Sequence, residues 1–552
     1  YAYWLSAAAL VFFWWLWQPH RELPGRRIER ADAPALFDEL DALAKALDAP
    51  RIDEIRLDDQ LNAGALQTTA RRRPWRSQRV LILGVPLLDL ADKTTLRAVI
   101  AHELGHFSHK HHRLGHWIYR ARVGWLAFAT ESSARDSLFE RAASRFACWF
   151  GPWFARLSFP YSRHCEYQAD AFSAELVGRD VAAGALVRVA ALNERWSSFM
   201  GAGLTAHRQA HASAPSELSA VCRAAVLAAP LSPSELAALD QREAASDDTH
   251  PALRERVAAL GLQVGATQIE IASHHAGAGS VWWRDWPSVI SAHDAAWHGA
   301  QQRRWRRQHL RDRLHGQRLE QLRAGGDCSL EWARLELAVG DVSLVAELAS
   351  SLIDQHSAEA HCLIGTAQLR LGQPAGFDAL EQAIRFDPSW VLAARVVIES
   401  HARLLPDDHA RKRNTALLAK ARERRTDAGE ALSRAIDAGI VDPIELDPVA
   451  LDIVRQTLHM ESWLAAAWLV QHNGLERGGR IYPNIVLMLR MDTAALHAAG
   501  LDEDEVANEG LALLRDVANA NRLRRVWTCY TTEPMPPGLE ARLSTLAAAR
   551  VR

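Results

Sequence analysis

The stretch His102-Glu103-Leu104-Gly105-His106 puts two imidazoles and a carboxylate within about one and a half helical turns. Residues four apart share a helix face, so His102 and His106 can aim ring nitrogens at one metal ion. Glu103, one position round, is close enough to take a proton from a water on that metal. So short a motif also occurs by chance, as two surface histidines beside a glutamate. Its context narrows the choice: Asp92 is a candidate N-cap, and Leu96, Val99, Ile100 and Phe107 supply an apolar face. A helix buried on that face needs partners for its polar residues, because unpaired buried polar groups are costly. One zinc ion per chain is such a partner.

Catalytic zinc usually takes three protein ligands and keeps one position for water. The candidate third ligand lies in Ser162-Arg163-His164-Cys165-Glu166-Tyr167-Gln168-Ala169-Asp170. Glu166 and Asp170 are four apart, and Ala169, Ala171 and Ala174 would let their helix approach another closely. Glu166 as ligand and Asp170 as acceptor for a ligand histidine N–H complete a His-His-Glu site. Taken alone, the stretch reads equally as a solvated helix with two carboxylates, and Cys165 is a competing ligand.

The pair Val99–His106 and Ser162–Asp170 resembles the HtpX and CAAX prenyl protease family of membrane zinc metallopeptidases. Asn62-Ala63 resembles the family's substrate-binding edge strand, although Gly64 stands where an aromatic residue is usual. Leu83 to Leu88 resembles the strand and turn before the metal helix, and Thr249-His250-Pro251 with Arg256 resembles the C-terminal signature. The resemblance covers about residues 30 to 262. It implies zinc on His102, His106 and Glu166, Glu103 as general base, Asp170 behind a ligand histidine, and peptide bound along Asn62 and Ala63. His250 or Arg256 would stabilise the oxyanion, with Tyr161 and Tyr167 as competing donors.

These residues need a scaffold. The expected fold class is mainly α with a small β-sheet, a gluzincin-type metalloprotease domain followed by α-helical repeats. An amphipathic helix is predicted over Pro34–Leu47, and strands over Ile52–Leu57, Asn62–Thr69 and Arg79–Leu83. A small sheet on the metal helix would set an edge strand beside the zinc, where a peptide can add by main-chain hydrogen bonds. Ala182–Trp196 and Ser216–Ala229 read as helices closing the domain, which spans residues 20–265.

With 552 residues the chain is too long for one core, and its formal charge of −2 suggests no nucleic-acid partner. The six cysteines form no CxxC pair, which argues against a disulfide framework or a cysteine zinc site. Residues 1–19 begin with 17 uncharged residues, near the lower limit for a membrane span, and Arg21, Arg26, Arg27 and Arg30 follow. That pattern predicts a membrane anchor with the catalytic domain facing the cytoplasm; a buried helix or a cleaved signal peptide are the alternatives. Residues 116–160 carry two short aromatic segments, read as a membrane-interacting hairpin or a lid. His109, His111, His112 and His116 read as a polar helix end rather than a second metal site.

Residues 266–325 form a basic helical connector whose arginines are either solvated or in contact with anionic lipid. Leu335–Gly340 and Ala367–Gly372 recur with near-repeat spacing, and Ala379 to Pro388 completes a tetratricopeptide-like unit within 326–440. Such repeats suit a protein partner. Residues 441–552 contain a strand at Ile485–Leu489 and a helix at Glu503–Ala518, with no role assigned. The expected function is membrane-associated zinc endopeptidase, in quality control of membrane or unfolded proteins. Prenylated-peptide processing and a non-catalytic repeat scaffold are the alternatives; an intramembrane site-2-type protease would need more long apolar spans.

Overall fold

A computed structural model describes residues 23–47, 49–70, 73–107, 150, 160–242, 250–266, 277–326, 328–386, 390–401, 404–405, 436, 438–443, 448–459, 464–472, 476–477, 480–481, 484–491, 526–531, 537–546 and 550–551. The proposed anchor at 1–19, most of the 116–160 hairpin, the histidines at 109–116 and the helix at 503–518 lie outside these residues. Among the described residues, no helix is long and apolar enough to cross a membrane. The chain divides into two compact units, one of residues 1–206 and 215–301, the other of 207–214 and 302–552.

The first unit is built on a four-stranded sheet: β1 (Arg26–Ile28), β2 (Glu54–Asp58), β3 (Ala63–Ala70) and β4 (Arg73–Gly84). The order is β1-β2-β4-β3, so β3 is an edge strand, antiparallel to β4. Helix α1 (Pro34–Ala46) buries Leu36, Leu40 and Leu43, the i, i+4, i+7 stripe of an amphipathic helix. Strand β4 runs directly into α2 (Val85–Leu90), with Pro86 in the first turn, where its missing N–H costs nothing.

The metal-motif helix α3 spans Lys93–Gly105. Asp92 caps it, accepting the Thr95 N–H at 2.9 Å and the Thr95 hydroxyl at 2.8 Å. Leu96, Ile100 and Leu104 are fully buried on one face, leaving His102, Glu103 and His106 half-buried on the other. A second helix, α4, covers residues 160–177 and meets α3 where a Cβ at Gly105 would come 3.2 Å from Ala169 Cα. Ala169 and Ala174 are buried as the close approach requires, whereas Ala171 is exposed: it lies on the side of α4 away from α3. Helices α5 (Arg179–Ser198), α6 (Leu218–Val226), α7 (Pro233–Gln241), α8 (Leu253–Ala259) and α9 (Ala278–Trp282) complete the unit.

The long helix α10 (Trp286–Gly325) carries the arginine-rich run. Its arginines are not uniformly solvated. Arg307 is fully buried, and Arg318 and Arg323 pair with Glu331 and Glu336 on the next helix at 3.1 and 2.6 Å. Arg303, Arg304, Arg306 and Arg313 are exposed, as the sequence reading of a solvated surface expects.

The second unit continues through α11 (Leu330–Val339), α12 (Val342–Ser350), α13 (Ile353–Arg370), α14 (Gly376–Phe386) and α15 (Val391–Ser400), each packed on its neighbours. Helices α13 and α14 cross at Gly365 and Gly376, where a Cβ on either would run into the other's carbonyl. Leu335–Gly340 and Ala367–Gly372 fall at the ends of α11 and α13. A C-terminal sheet pairs β5 (Asp442–Pro443), β6 (Leu464–His472), β7 (Asn484–Met491) and β8 (Val526–Thr531) in the order β8-β7-β6-β5. The strand expected at Ile485–Leu489 is the middle of β7.

Gly84 is the tightest joint near the site. Its N–H donates to the Asn62 carbonyl at 2.8 Å, and a Cβ there would overlap the Gln60 carbonyl. Because the obstacle is backbone, relief requires the Gln60–Asn62 turn to move. Gly84→Ala should therefore destabilise the protein by about 1–3 kcal/mol, the usual cost of overpacking, read as a lower denaturant midpoint at unchanged slope.

Candidate metal centre

Helices α3 and α4 bring together the three ligand candidates taken from sequence. Glu166 Oε2 lies 3.5 Å from His102 Nε2, and Glu166 Oε1 lies 3.5 Å from His106 Nε2. One ligand atom from each residue falls within a 4.8 Å cluster. Atoms bound tetrahedrally to zinc at its usual bond lengths are about 3.4 Å apart, so the spacing suits that ion. Glu166 Oε2 is buried and makes no hydrogen bond, an orphaned acceptor of the kind a cation would satisfy. Two imidazoles and a carboxylate are also a donor set that zinc accepts.

Behind the ligands lies a second layer of charge. Asp170 Oδ1 is 2.9 Å from His102 Nδ1, which fixes that nitrogen as the N–H and leaves Nε2 for a metal. Arg256, on α8, grips Asp170 in a fork, with Nε to Oδ2 at 2.8 Å and Nη2 to Oδ1 at 2.7 Å. The same guanidinium comes within 3.7 Å of Glu166.

Burial opposes charge at every member of this group, and the partners decide the outcome. Burial alone would lower the His102 pKa, yet the bond to Asp170 and the adjacent Glu166 carboxylate raise it to about 9. Burial would raise Glu166, but His102 and His106 hold it at about 2. Asp170 is likewise held at about 2 by Arg256 and His102 against its burial. At His106 the upward pull of Glu166 is outweighed by burial and then by repulsion from His102, which lower it to about 4, so it is neutral and able to ligate.

Glu103 points to the strand side. Its Oε2 accepts the N–H of Ala65 on edge strand β3 at 2.9 Å. Burial, reinforced by the nearby Glu166 carboxylate, raises its pKa against the opposing pull of His102 and the Ala65 amide. Sequence reasoning missed Ala65, because a backbone amide acting as a donor leaves no mark in residue type.

The other expected site residues are placed as follows. Asn62 and Ala63 line the same cavity as His102, Glu103, Asp170, His250 and Arg256. The Asn62 side chain accepts the Ala63 N–H at 2.8 Å, and its carbonyl is the Gly84 partner. His250 presents Nε2 at 3.6 Å from Glu166 Oε2 with 56% of its side chain exposed. Arg256 is committed to Asp170. Tyr161 is hydrogen-bonded to the Cys165 thiol, whose pKa burial raises, and Tyr167 lies near Glu255 and Arg163. Neither tyrosine lines the cavity, and Cys165 stands outside the ligand cluster.

The Asp170–His102 bond generates a direct test. Replacing Asp170 with Asn keeps the size but removes the charge that orients the imidazole and engages Arg256. Zinc affinity should fall by about 10–100-fold, the usual effect of losing such a partner, as measured by competition with a chromophoric chelator.

A comparison with curated proteins returns no match. Residues 34–263 match the family model described as Peptidase family M48, a span that includes every residue of the metal cluster, Glu103, the edge strand, His250 and Arg256. Peptidases of this family use zinc, which the His102, His106 and Glu166 group could hold, and the matched residues are followed by a helical region.

Proposed function

We propose that the protein is a zinc-dependent endopeptidase that acts at a membrane on unfolded or damaged proteins. The observation that supports this reading best is the placement of Glu103. It stands one residue from a metal ligand, tied to an edge strand, at the wall of an open cavity.

His102, His106 and Glu166 would hold zinc, which when bound would supply a polarised water with its pKa lowered toward about 7. The protein's own residues do the rest. A peptide lies along the outer edge of β3 and pairs with its main chain near Asn62 and Ala63, which orients the scissile bond without selecting sequence. Glu103 accepts the water's proton and passes it to the leaving amine. With one carboxylate oxygen held by Ala65 N–H, its other oxygen is free for that transfer. Asp170 keeps His102 in its ligating tautomer, and Arg256 holds Asp170. Since Arg256 is engaged there, His250, which faces the cavity, is the donor to the carbonyl oxygen as it gains charge.

The membrane setting rests on the uncharged N-terminal stretch and the basic residues after it. The helices from α11 to α15 offer stacked surfaces on which a protein substrate or partner would bind.

Purified wild type and Glu103→Gln should each hold one zinc, and only wild type should cleave casein; a chelator should abolish that cleavage and zinc should restore it. Casein cleavage by Glu103→Gln at the wild-type rate would overturn the assignment of the base. Trimming of a prenylated peptide with casein untouched would replace quality control by processing. A further variant isolates the Ala65 contact. Ala65→Pro removes the donor at an N–H that serves Glu103 rather than the β4 ladder, a position where an edge strand tolerates proline. It should lower kcat by about 10-fold or more, as expected for a misplaced general base, with zinc content unchanged.

A further inference from the structure

Three residues of α4 engage the metal helix from one face. Glu166, Asp170 and Ser173 are spaced i, i+4 and i+7, so successive turns present them on the same side. The first two grip the ring of His102, with Glu166 Oε2 3.5 Å from Nε2 and Asp170 Oδ1 2.9 Å from Nδ1. The third reaches the backbone that carries the ring. Ser173, only 4% exposed, donates its hydroxyl to the Ala98 carbonyl at 2.8 Å. Within α3 that carbonyl is also the acceptor for the N–H of His102, four residues on.

A buried helical hydroxyl has a carbonyl at hand four residues back in its own helix. Thr366 of α13 uses it, donating to the Cys362 carbonyl at 2.7 Å. Ser173 crosses instead to a helix 75 residues earlier in the chain. The crossing has a geometric consequence. At the other end of the contact Gly105 lies against α4, where a Cβ would come 3.2 Å from Ala169 Cα and 3.3 Å from Phe172 Cβ. Such packing limits how closely the helices approach but lets one slide or pivot on the other. A directional bond at Ala98, about 10 Å along α3 from Gly105 at the usual rise, removes that freedom. His102 lies between the two fixed points, and His106 directly follows the second.

We propose that Ser173 is a positioning residue for the metal: its hydroxyl sets the register of α4 on α3, and with it the place of Glu166 between His102 and His106. This role rests on the metal reading above and adds a group that touches neither the ion nor a ligand side chain. The Ala98 carbonyl already has its helical donor, so the bond is not required to satisfy it. Glu166 stands 3.5 Å from each of two ligand nitrogens, a balance that a slide of either helix would upset.

The test uses full-length protein and two readouts that need no turnover: zinc affinity by chelator competition, and the visible bands of the cobalt(II)-substituted protein, which report coordination geometry. Ser173→Ala removes the hydroxyl and strands no buried group, so the denaturant midpoint of the metal-free protein should stay close to wild type. Zinc affinity should fall about 10-fold, as for a lost supporting partner, and the cobalt bands should shift. Ser173→Thr keeps the hydroxyl and should recover both readouts; Ser173 borders the cavity, where the added methyl has room. Ser173→Val, of the same size but without the hydroxyl, should behave as Ser173→Ala. Zinc affinity and cobalt bands unchanged in Ser173→Ala overturn the proposal and leave the metal centre intact. Equal losses in Ser173→Thr and Ser173→Val also overturn it, assigning the effect to volume. A lowered midpoint with unaltered cobalt bands reduces Ser173 to a structural residue and overturns it likewise. Failure of wild type to bind either ion overturns the metal reading itself, and the role of Ser173 with it.

Discussion

The first unit depends on how it neutralises two buried carboxylates one turn apart on α4. Glu166 and Asp170 are 7% and 2% exposed, and leaving either charge uncompensated would cost several kcal/mol. Arg256 reaches Asp170 with a two-pronged grip, His102 bridges both carboxylates, and His106 meets the remaining oxygen of Glu166. Three helices distant in sequence are therefore fixed by one electrostatic knot. Without metal, the knot's contribution has defined pH limits. The lowered carboxylates contribute above their ordinary pKa values, and that part is lost as pH falls through about 2. His102 is raised, so its part is complete below its ordinary value and is lost as pH rises through about 9. Metal binding must displace the His102 proton, which makes the knot a preorganised site that exchanges a proton for zinc.

The strand side is tied to this knot through backbone rather than charge. Gly84 holds the Asn62 carbonyl, which sets where β3 begins; two residues on, Ala65 donates to Glu103. A shift of the edge strand would therefore move Glu103, the proposed base, and an altered metal helix would disturb the edge. The absence of a side chain at Gly64 leaves the strand open there, since a Cβ at that position would meet nothing. The aromatic residue usual in the resembling family would occupy that space, so this edge is roomier.

Much of this was legible in the residues. Asp92 announced the start of the metal helix, the 3.6-residue stripe through Leu96 and Ile100 gave its buried face, and the expected strands match β2 and β3 closely but only the second half of β4, which begins six residues earlier at Arg73. Local chemistry and periodicity suffice for such features because the signal lies within one turn or one strand. The ligand set was legible only as two fragments 60 residues apart, and α4 alone read as a solvated helix. What sequence could not carry were pairings across elements. Arg256 stood out as a residue but not as the partner of Asp170, and nothing in the arginine run of α10 marked Arg318 and Arg323 as the partners of Glu331 and Glu336. Ala171 misled because alanine suits both a close helix contact and an exposed turn, and only the rotation of α4 decides between them.

Helix α5 illustrates why a core-like pattern can conceal a site. Its alanines, leucines and valines have the composition of a packed helix, and on one side it behaves as one: Val187, Ala191 and Leu192 are buried. A second side reaches the start of the metal helix, where Arg188 donates to Thr95 Oγ1 at 2.7 Å and lies 3.4 Å from Asp92 Oδ2. The capping group that orients the zinc ligands is thereby braced by the helix that lines the cavity. A third side is left half-covered along Leu186 and Val189. That side borders the open cavity at the metal centre, so the helix that braces the cap also bounds the site.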